Sequence, residues 1–152
     1  MLLLVQSSPK IVQGEAEIVK ELFDNGLETF HLRKKNASTR QIEEYLNVIP
    51  RKYWSKIVLH SHYSIAIKYD LKGIHLNRRF KKQKFMYWLK LFYYRFKKPS
   101  LQVSSSFNNL SSLYNDENHY DYVFLSPVFD SVTKSGYQSS FSQHNLAVAL
   151  MK

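Results

Sequence analysis

An α/β fold built on a parallel sheet is what this sequence predicts, and three observations lead to it. Six short apolar runs of strand length alternate with segments whose apolar residues recur at helical spacing. The connections between them are short, as right-handed crossover units allow. No Gly-rich turn follows the first run, which argues against a dinucleotide-binding sheet and leaves an open sheet or a barrel.

The elements follow in order. Leu2 to Val5 reads as the first strand; it is too short for a secretory signal or a membrane span, and no basic segment precedes it. Glu15 to Phe23 is a helix with Ile18, Val19, Leu22 and Phe23 at helical spacing, closed by Asn25-Gly26. Thr29 to Leu32 is the second strand. Ser38-Thr39 caps a helix in which Ile42, Tyr45, Leu46 and Ile49 share a face, and Pro50 ends it. Lys56 to Leu59, Gly73 to Leu76, Leu101 to Val103 and Tyr122 to Leu125 are the next four strands. Between them lie helices at Ile65 to Tyr69, Phe85 to Phe96 and around Leu110 to Tyr114. A last helix begins near Ser142. Closed as a barrel, the chain is two units short of eight, so the reading is a parallel (β/α)8 TIM-barrel type truncated after about six βα units. On this reading either the chain is a fragment, or the open edge of the sixth strand is covered by another copy of the chain or left as a liability.

With 152 residues, 44% of them hydrophobic, the chain reads as a single domain over 1–152. It has no cysteine. That excludes disulfides and thiolate chemistry and fits a cytoplasmic protein. Of the net charge of +10, +9 falls within residues 78 to 98, RRFKKQKFMYWLKLFYYRFKK, which has no acid. The excess is local, so a general polyanion binder is not expected, and nucleic acid is not the predicted partner. This segment is expected to supply the fourth helix, with Met86, Leu89, Tyr93 and Phe96 packed on the sheet and the cations in water. Its other reading is a surface that lies on an anionic membrane or stacks on single-stranded nucleic acid.

Two places suggest anion chemistry. After the sixth strand, Ser131, Thr133, Lys134 and Ser135 crowd into a polar loop, where hydroxyls, a cation and backbone amides suit a phosphate. In FHLRKK, residues 30 to 35, alternation turns Phe30 and Leu32 toward the helices and leaves His31, Arg33 and Lys35 for the mouth. Histidines also gather at strand ends, at His31, His60, His62 and His75. The His60-Ser61-His62 spacing puts two imidazoles on one face, a geometry that suits zinc. With no Asp or Glu at a strand end to complete a hydrolytic site, however, they are expected to be neutral hydrogen-bonding groups, and no metal ligand is assigned.

Three of these motifs resemble the thiamine phosphate synthase and thiazole tautomerase family: FHLRKK at 30–35, GIHL at 73–76 and LSPVFDSVTK at 125–134. The resemblance implies a (β/α)8 barrel of thiamine biosynthesis. Its transferase joins a hydroxymethylpyrimidine diphosphate to a thiazole phosphate and releases pyrophosphate with help from Mg²⁺. It implies that Arg33 and Lys35 hold the pyrophosphate, that Ser131, Thr133 and Lys134 hold the thiazole phosphate, and that Ser104 lies near the pyrimidine. His31 stands where the family has a glutamine. His60-Ser61 replaces an Asn-Asp pair and Phe80 replaces an acid, so both metal carboxylates are missing. Arg78 and Arg79 are placed to neutralise the pyrophosphate instead. A tautomerase-like enzyme and a non-catalytic binder of phosphorylated thiamine precursors are the alternatives that follow from these departures.

Overall fold

The structure, a computed structural model, describes residues 3–77 and 84–129 together with Phe141 and Leu146. Strands β1 (Leu4–Gln6), β2 (Thr29–Leu32), β3 (Ile57–Leu59), β4 (Gly73–Leu76), β5 (Gln102–Phe107) and β6 (Tyr122–Leu125) alternate with helices. The helices are α1 (Glu15–Asp24), α2 (Thr39–Val48), α3 (Tyr63–Lys68), α4 (Lys84–Lys97) and α5 (Leu110–Tyr114). All described strand pairings are parallel. This is an α/β fold of the TIM-barrel type, with six parallel strands among the described residues. The chain forms two compact units, Met1–Val103 and Ser104–Lys152.

In the first unit β1 through β4 pair in chain order, in the register Val5 opposite Phe30, His31 opposite Val58 and Leu59 opposite Ile74. β2, β3 and β4 are buried along their whole length. Phe30, Leu32, Ile57, Leu59, Ile74 and Leu76 make the core with Val19, Phe23, Ile42 and Leu46 from the helices. Each such side chain contributes roughly 1.5–3 kcal/mol by leaving water. Phe23 of α1 meets Phe30 edge-on and stacks on Tyr53 at 5.0 Å. Gly73 is required where it stands, because a Cβ there would lie 2.3 Å from the Gln102 carbonyl oxygen.

Local signals chose the helix ends as read. Gly26 has φ +94 just past α1. Ser38 Oγ accepts from the Gln41 N–H while the Gln41 side chain accepts from the Ser38 N–H, a complete capping box for α2.

Boundaries differ from the sequence reading at three places. Arg51–Lys56 is a 3₁₀ helix, so Lys56 precedes β3, and its ammonium donates to the Leu27 carbonyl at 3.1 Å. α3 starts at Tyr63, two residues early, because His62 takes the left-handed conformation and turns the chain there. β5 runs on to Phe107, so Ser104 lies within the strand and not at its end.

The largest correction is on α4. Met86, Leu89, Tyr93 and Phe96, expected to pack, are exposed, and the sheltered stripe is Leu91, Tyr94, Arg95 and Lys98. The segment is apolar nearly all round, so periodicity does not select the face that packs.

In the second unit β5 pairs with β6 from Ser104 opposite Tyr122 to Phe107 opposite Leu125. Asn109 caps α5 by accepting from the Ser112 N–H at 2.7 Å. The helix predicted after Ser142 and the Ser131 to Ser135 loop lie outside the described residues. Among the described residues no helix is long and apolar enough to cross a membrane.

Candidate functional site

The C-terminal ends of β2, β3 and β4 bring three imidazoles together: His31 on β2, His60 directly after β3 and His75 on β4. Strand period and register explain why. His31 faces Val58, two positions before His60, and one step on from Leu59 opposite Ile74 His60 stands level with His75. The His60 and His75 rings stack with centroids 4.2 Å apart, and His31 meets them edge-on at 5.1 and 5.8 Å. His31 Nδ1 lies 2.9 Å from His60 Nε2, a hydrogen bond in which one ring donates and the other accepts according to tautomer. One ring nitrogen of each of the three lies within 4.8 Å of the others.

Burial sets their protonation. His31 and His75 are 1% and 5% exposed, and His60 is half-buried. Desolvation, with smaller contributions from His75 and Lys72, pushes His31 down to about 4. Desolvation, then His75, His31 and Arg33, pushes His60 down to about 2. Both rings are therefore neutral at pH 7. Tyr63 fixes the backbone beneath them: its hydroxyl donates to the His75 carbonyl at 3.0 Å and accepts from the Asn77 N–H at 3.3 Å. The Asn77 side chain donates to the His60 carbonyl at 3.4 Å.

Arg33 follows on the same face of β2 as His31, half-buried. Its backbone is held from both sides by Ser7, whose hydroxyl accepts from the Arg33 N–H at 2.8 Å and donates to the Arg33 carbonyl at 3.1 Å. Lys35 is exposed, and its N–H donates to the Pro9 carbonyl at 3.1 Å.

Lys34, which sequence reasoning passed over, is the buried lysine of the group, only 2% exposed. Alternation turns it outward to α1, where it pairs with Glu15 and donates to the Ser8 and Lys10 carbonyls at 3.1 and 2.8 Å. Nothing in the local pattern of the sequence ties Glu15, at the start of α1, to Lys34.

Of the predicted site residues, His31, His60 and Arg33 come together on one rim. His62 does not join them: it lies beyond the strand in the left-handed region, with Nδ1 3.0 Å from Ser61 Oγ, so the expected His60–His62 face is replaced by His60 with His31 and His75. His75 was visible as a strand-end histidine, and only the register shows that it pairs with His60. Ser104, in the second unit, is fully buried and hydrogen-bonds to the phenol of Tyr122, its cross-strand partner. Arg78, Ser131, Thr133 and Lys134 lie outside the described residues.

Residues 2–147 match the family described as thiamine monophosphate synthase. Among solved structures, the chain is similar to thiamine phosphate pyrophosphorylase from Bacteroides thetaiotaomicron, with 28% identity and a TM-score of 0.74 over 99% of this chain and 66% of that one. It also has the fold of thiamine phosphate pyrophosphorylase from Pyrococcus furiosus, with 21% identity and a TM-score of 0.58 over 84% of this chain and 60% of that one. The chain thus spans less than two thirds of the length of either structure. No curated protein matches the sequence.

Proposed function

The chain belongs to the thiamine monophosphate synthase family, and from that premise we propose that it acts in thiamine biosynthesis on phosphorylated pyrimidine and thiazole compounds. The proposed reaction joins a hydroxymethylpyrimidine diphosphate to a thiazole phosphate. The carbon–oxygen bond to the diphosphate breaks, pyrophosphate leaves with the electron pair, and the thiazole nitrogen bonds to the carbon left behind.

The observation that best supports this reading is Arg33. Its guanidinium stands on a rim of strand ends, its backbone is pinned by Ser7, and it is half-buried beside His60. A guanidinium held there suits a diphosphate in two-point contact and favours the charge that grows on the leaving group. In the same reading Lys35 and Arg78 assist with the pyrophosphate, while Ser131, Thr133 and Lys134 hold the thiazole phosphate. The family resemblance implies that Ser104 is the serine near the pyrimidine. His31 offers one hydrogen bond where the family's glutamine amide offers two.

The Mg²⁺ of the family reaction does not fit the described rim. Mg²⁺ takes oxygen ligands in near-octahedral order. The one cluster of metal-ligating side chains among the described residues is made of imidazoles, without a carboxylate.

Titration calorimetry with pyrophosphate and with thiazole phosphate, beside a turnover assay without Mg²⁺, tests the reading. Both ligands are expected to bind, and Arg33→Ala is expected to weaken pyrophosphate by about 10- to 100-fold, the range for a charge-assisted hydrogen bond. Binding with no turnover would replace the transferase by a tautomerase-like or non-catalytic binder. No binding of either ligand would overturn the proposal.

A second reading rests on a separate observation. Trp88, Phe92 and Phe96 form an exposed ring stack on α4, with neighbouring centroids 5.8 and 6.5 Å apart, and Lys90 and Lys97 are exposed on the same helix. That pattern suits peripheral attachment to an anionic membrane surface.

A further inference from the structure

We infer that His31, His60 and His75 form a binding site for a divalent metal ion of zinc type. Each is carried by or directly follows a different, fully buried strand, so the backbones that present them are fixed. One ring nitrogen of each converges on a common point, all within 4.8 Å, and the closest pair is 2.9 Å apart. Zinc at about 2.0–2.1 Å from each nitrogen would set them about 3.3 Å apart. The present spacings, from 2.9 Å for the closest pair to no more than 4.8 Å, bracket that value.

The donor chemistry selects the class of ion. An all-imidazole set suits zinc and its transition-metal neighbours, whereas Mg²⁺ and Ca²⁺ need carboxylate or carbonyl oxygen. Three protein ligands are the number found in open zinc sites, which keep a fourth position for water or substrate. His60 alone of the three is half-buried, so the cluster meets solvent at this ring.

Arg33, beside His60, and Lys72, whose charge reaches His31, both oppose a cation. They favour a site completed by an anionic fourth ligand, hydroxide or a phosphate oxygen. Core packing does not explain the cluster, since Val or Leu would fill these positions without burying polar rings. Tyr63, which ties the His75 backbone through its hydroxyl, is a positioning residue for the site.

The inference does not depend on the reaction proposed above. Loss of thiamine-precursor binding with zinc retained would break that proposal and leave this one standing.

The full chain, stripped with EDTA and desalted, is titrated with Zn²⁺ alone and with Co²⁺ alone. One Zn²⁺ per chain is expected to survive a second desalting step and to raise the melting midpoint, and Co²⁺ is expected to give the intense visible bands of a four-coordinate site. His31→Gln and His75→Gln are expected to abolish the Co²⁺ bands and to weaken Zn²⁺ on the order of 100-fold, at or beyond the effect of losing an outer-shell partner. His62→Ala is expected to change neither. Should the two buried variants fail to fold, His60→Gln at the half-buried position carries the same expectation, with circular dichroism confirming the fold. The site is overturned if the wild-type chain retains no zinc after desalting. It is equally overturned if His60→Gln retains zinc and the Co²⁺ spectrum unchanged.

Discussion

Two regions of the first unit sort their side chains in opposite ways. At the ends of β2 to β4 the interior holds His31, Lys34 and His75, polar groups that are 5% exposed or less, while the outer side of α4 leaves Trp88 60% and Phe96 72% exposed. The difference is one of supply. Each buried polar group on the rim has a partner brought by the fold: Glu15 for Lys34, His60 for His31, and contacts within the ring stack for His75. On α4 there are more aromatic rings than one helix face can shelter, since a packed helix hides a stripe of about 100°. Burial is thus governed by partners in one region and by available surface in the other. Hydrophobicity alone predicts neither.

The sharpest way to break that comparison is to remove a partner on the rim. Lys34→Ala leaves Glu15, itself only 14% exposed, without its ammonium and frees the Ser8 and Lys10 carbonyls. The expected loss is about 3–5 kcal/mol, the range for breaking a buried pair from one side. It is expected toward the lower end, because the Ser8 N–H still donates to Glu15 at 2.8 Å. Urea unfolding measures it; a loss below about 1 kcal/mol would show that the pair is not confined by its surroundings.

Next in size is an acid effect on the metal-free protein. In the unfolded chain His31 takes up its proton near pH 6.5, whereas in the folded chain burial, His75 and Lys72 hold this off until about 4. Between those values the unfolded state binds more protons, so stability falls as pH falls through that window and is flat above it. The size is on the order of 3 kcal/mol at about 1.36 kcal/mol per pKa unit. His60, depressed further by burial and then by His75, His31 and Arg33, adds to the fall in the same window and prolongs it below pH 4. Denaturant titrations of EDTA-treated protein at pH 7, 5.5 and 4 read it directly, and His31→Gln should flatten the slope.

Most of the fold was legible in the sequence because alternating strand and helix periods are local signals, and because Gly26 and the Ser38–Gln41 capping box mark helix ends with their own chemistry. The rim was legible only in part. Alternation along β2 puts His31 and Arg33 on one side, yet which histidines meet depends on the register between β3 and β4, a relation between residues 15 apart in the chain. His60 next to His62 looks like a pair from spacing alone, but the chain leaves the strand at Leu59, and His62 turns away in the left-handed region. Lys34 was missed for a related reason. A lysine among FHLRKK looks solvated until the strand brings it opposite Glu15.

The smallest expected effect on stability is the one that separates the two regions most clearly. Phe92→Ser with Phe96→Ser removes two of the three stacked rings from α4, and because both are exposed the change in unfolding free energy should stay within about 0.5 kcal/mol. A loss of 2 kcal/mol or more would mean that these rings are packed, and α4 would no longer contrast with the rim. The same variant tests membrane attachment independently of stability. Wild-type chain is expected to sediment with phosphatidylserine-containing vesicles at low salt, and to do so less at physiological salt as the charges are screened. Lys90→Gln with Lys97→Gln should weaken that binding about 30-fold, at about 1 kcal/mol for each cation near the surface. Retention on heparin but not on vesicles would point to a polyanion and not to a lipid surface. Retention unchanged by either pair of substitutions would mean that the exposed rings of α4 play no part in binding. Their exposure would then reflect only the excess of aromatic residues over the surface available to bury them.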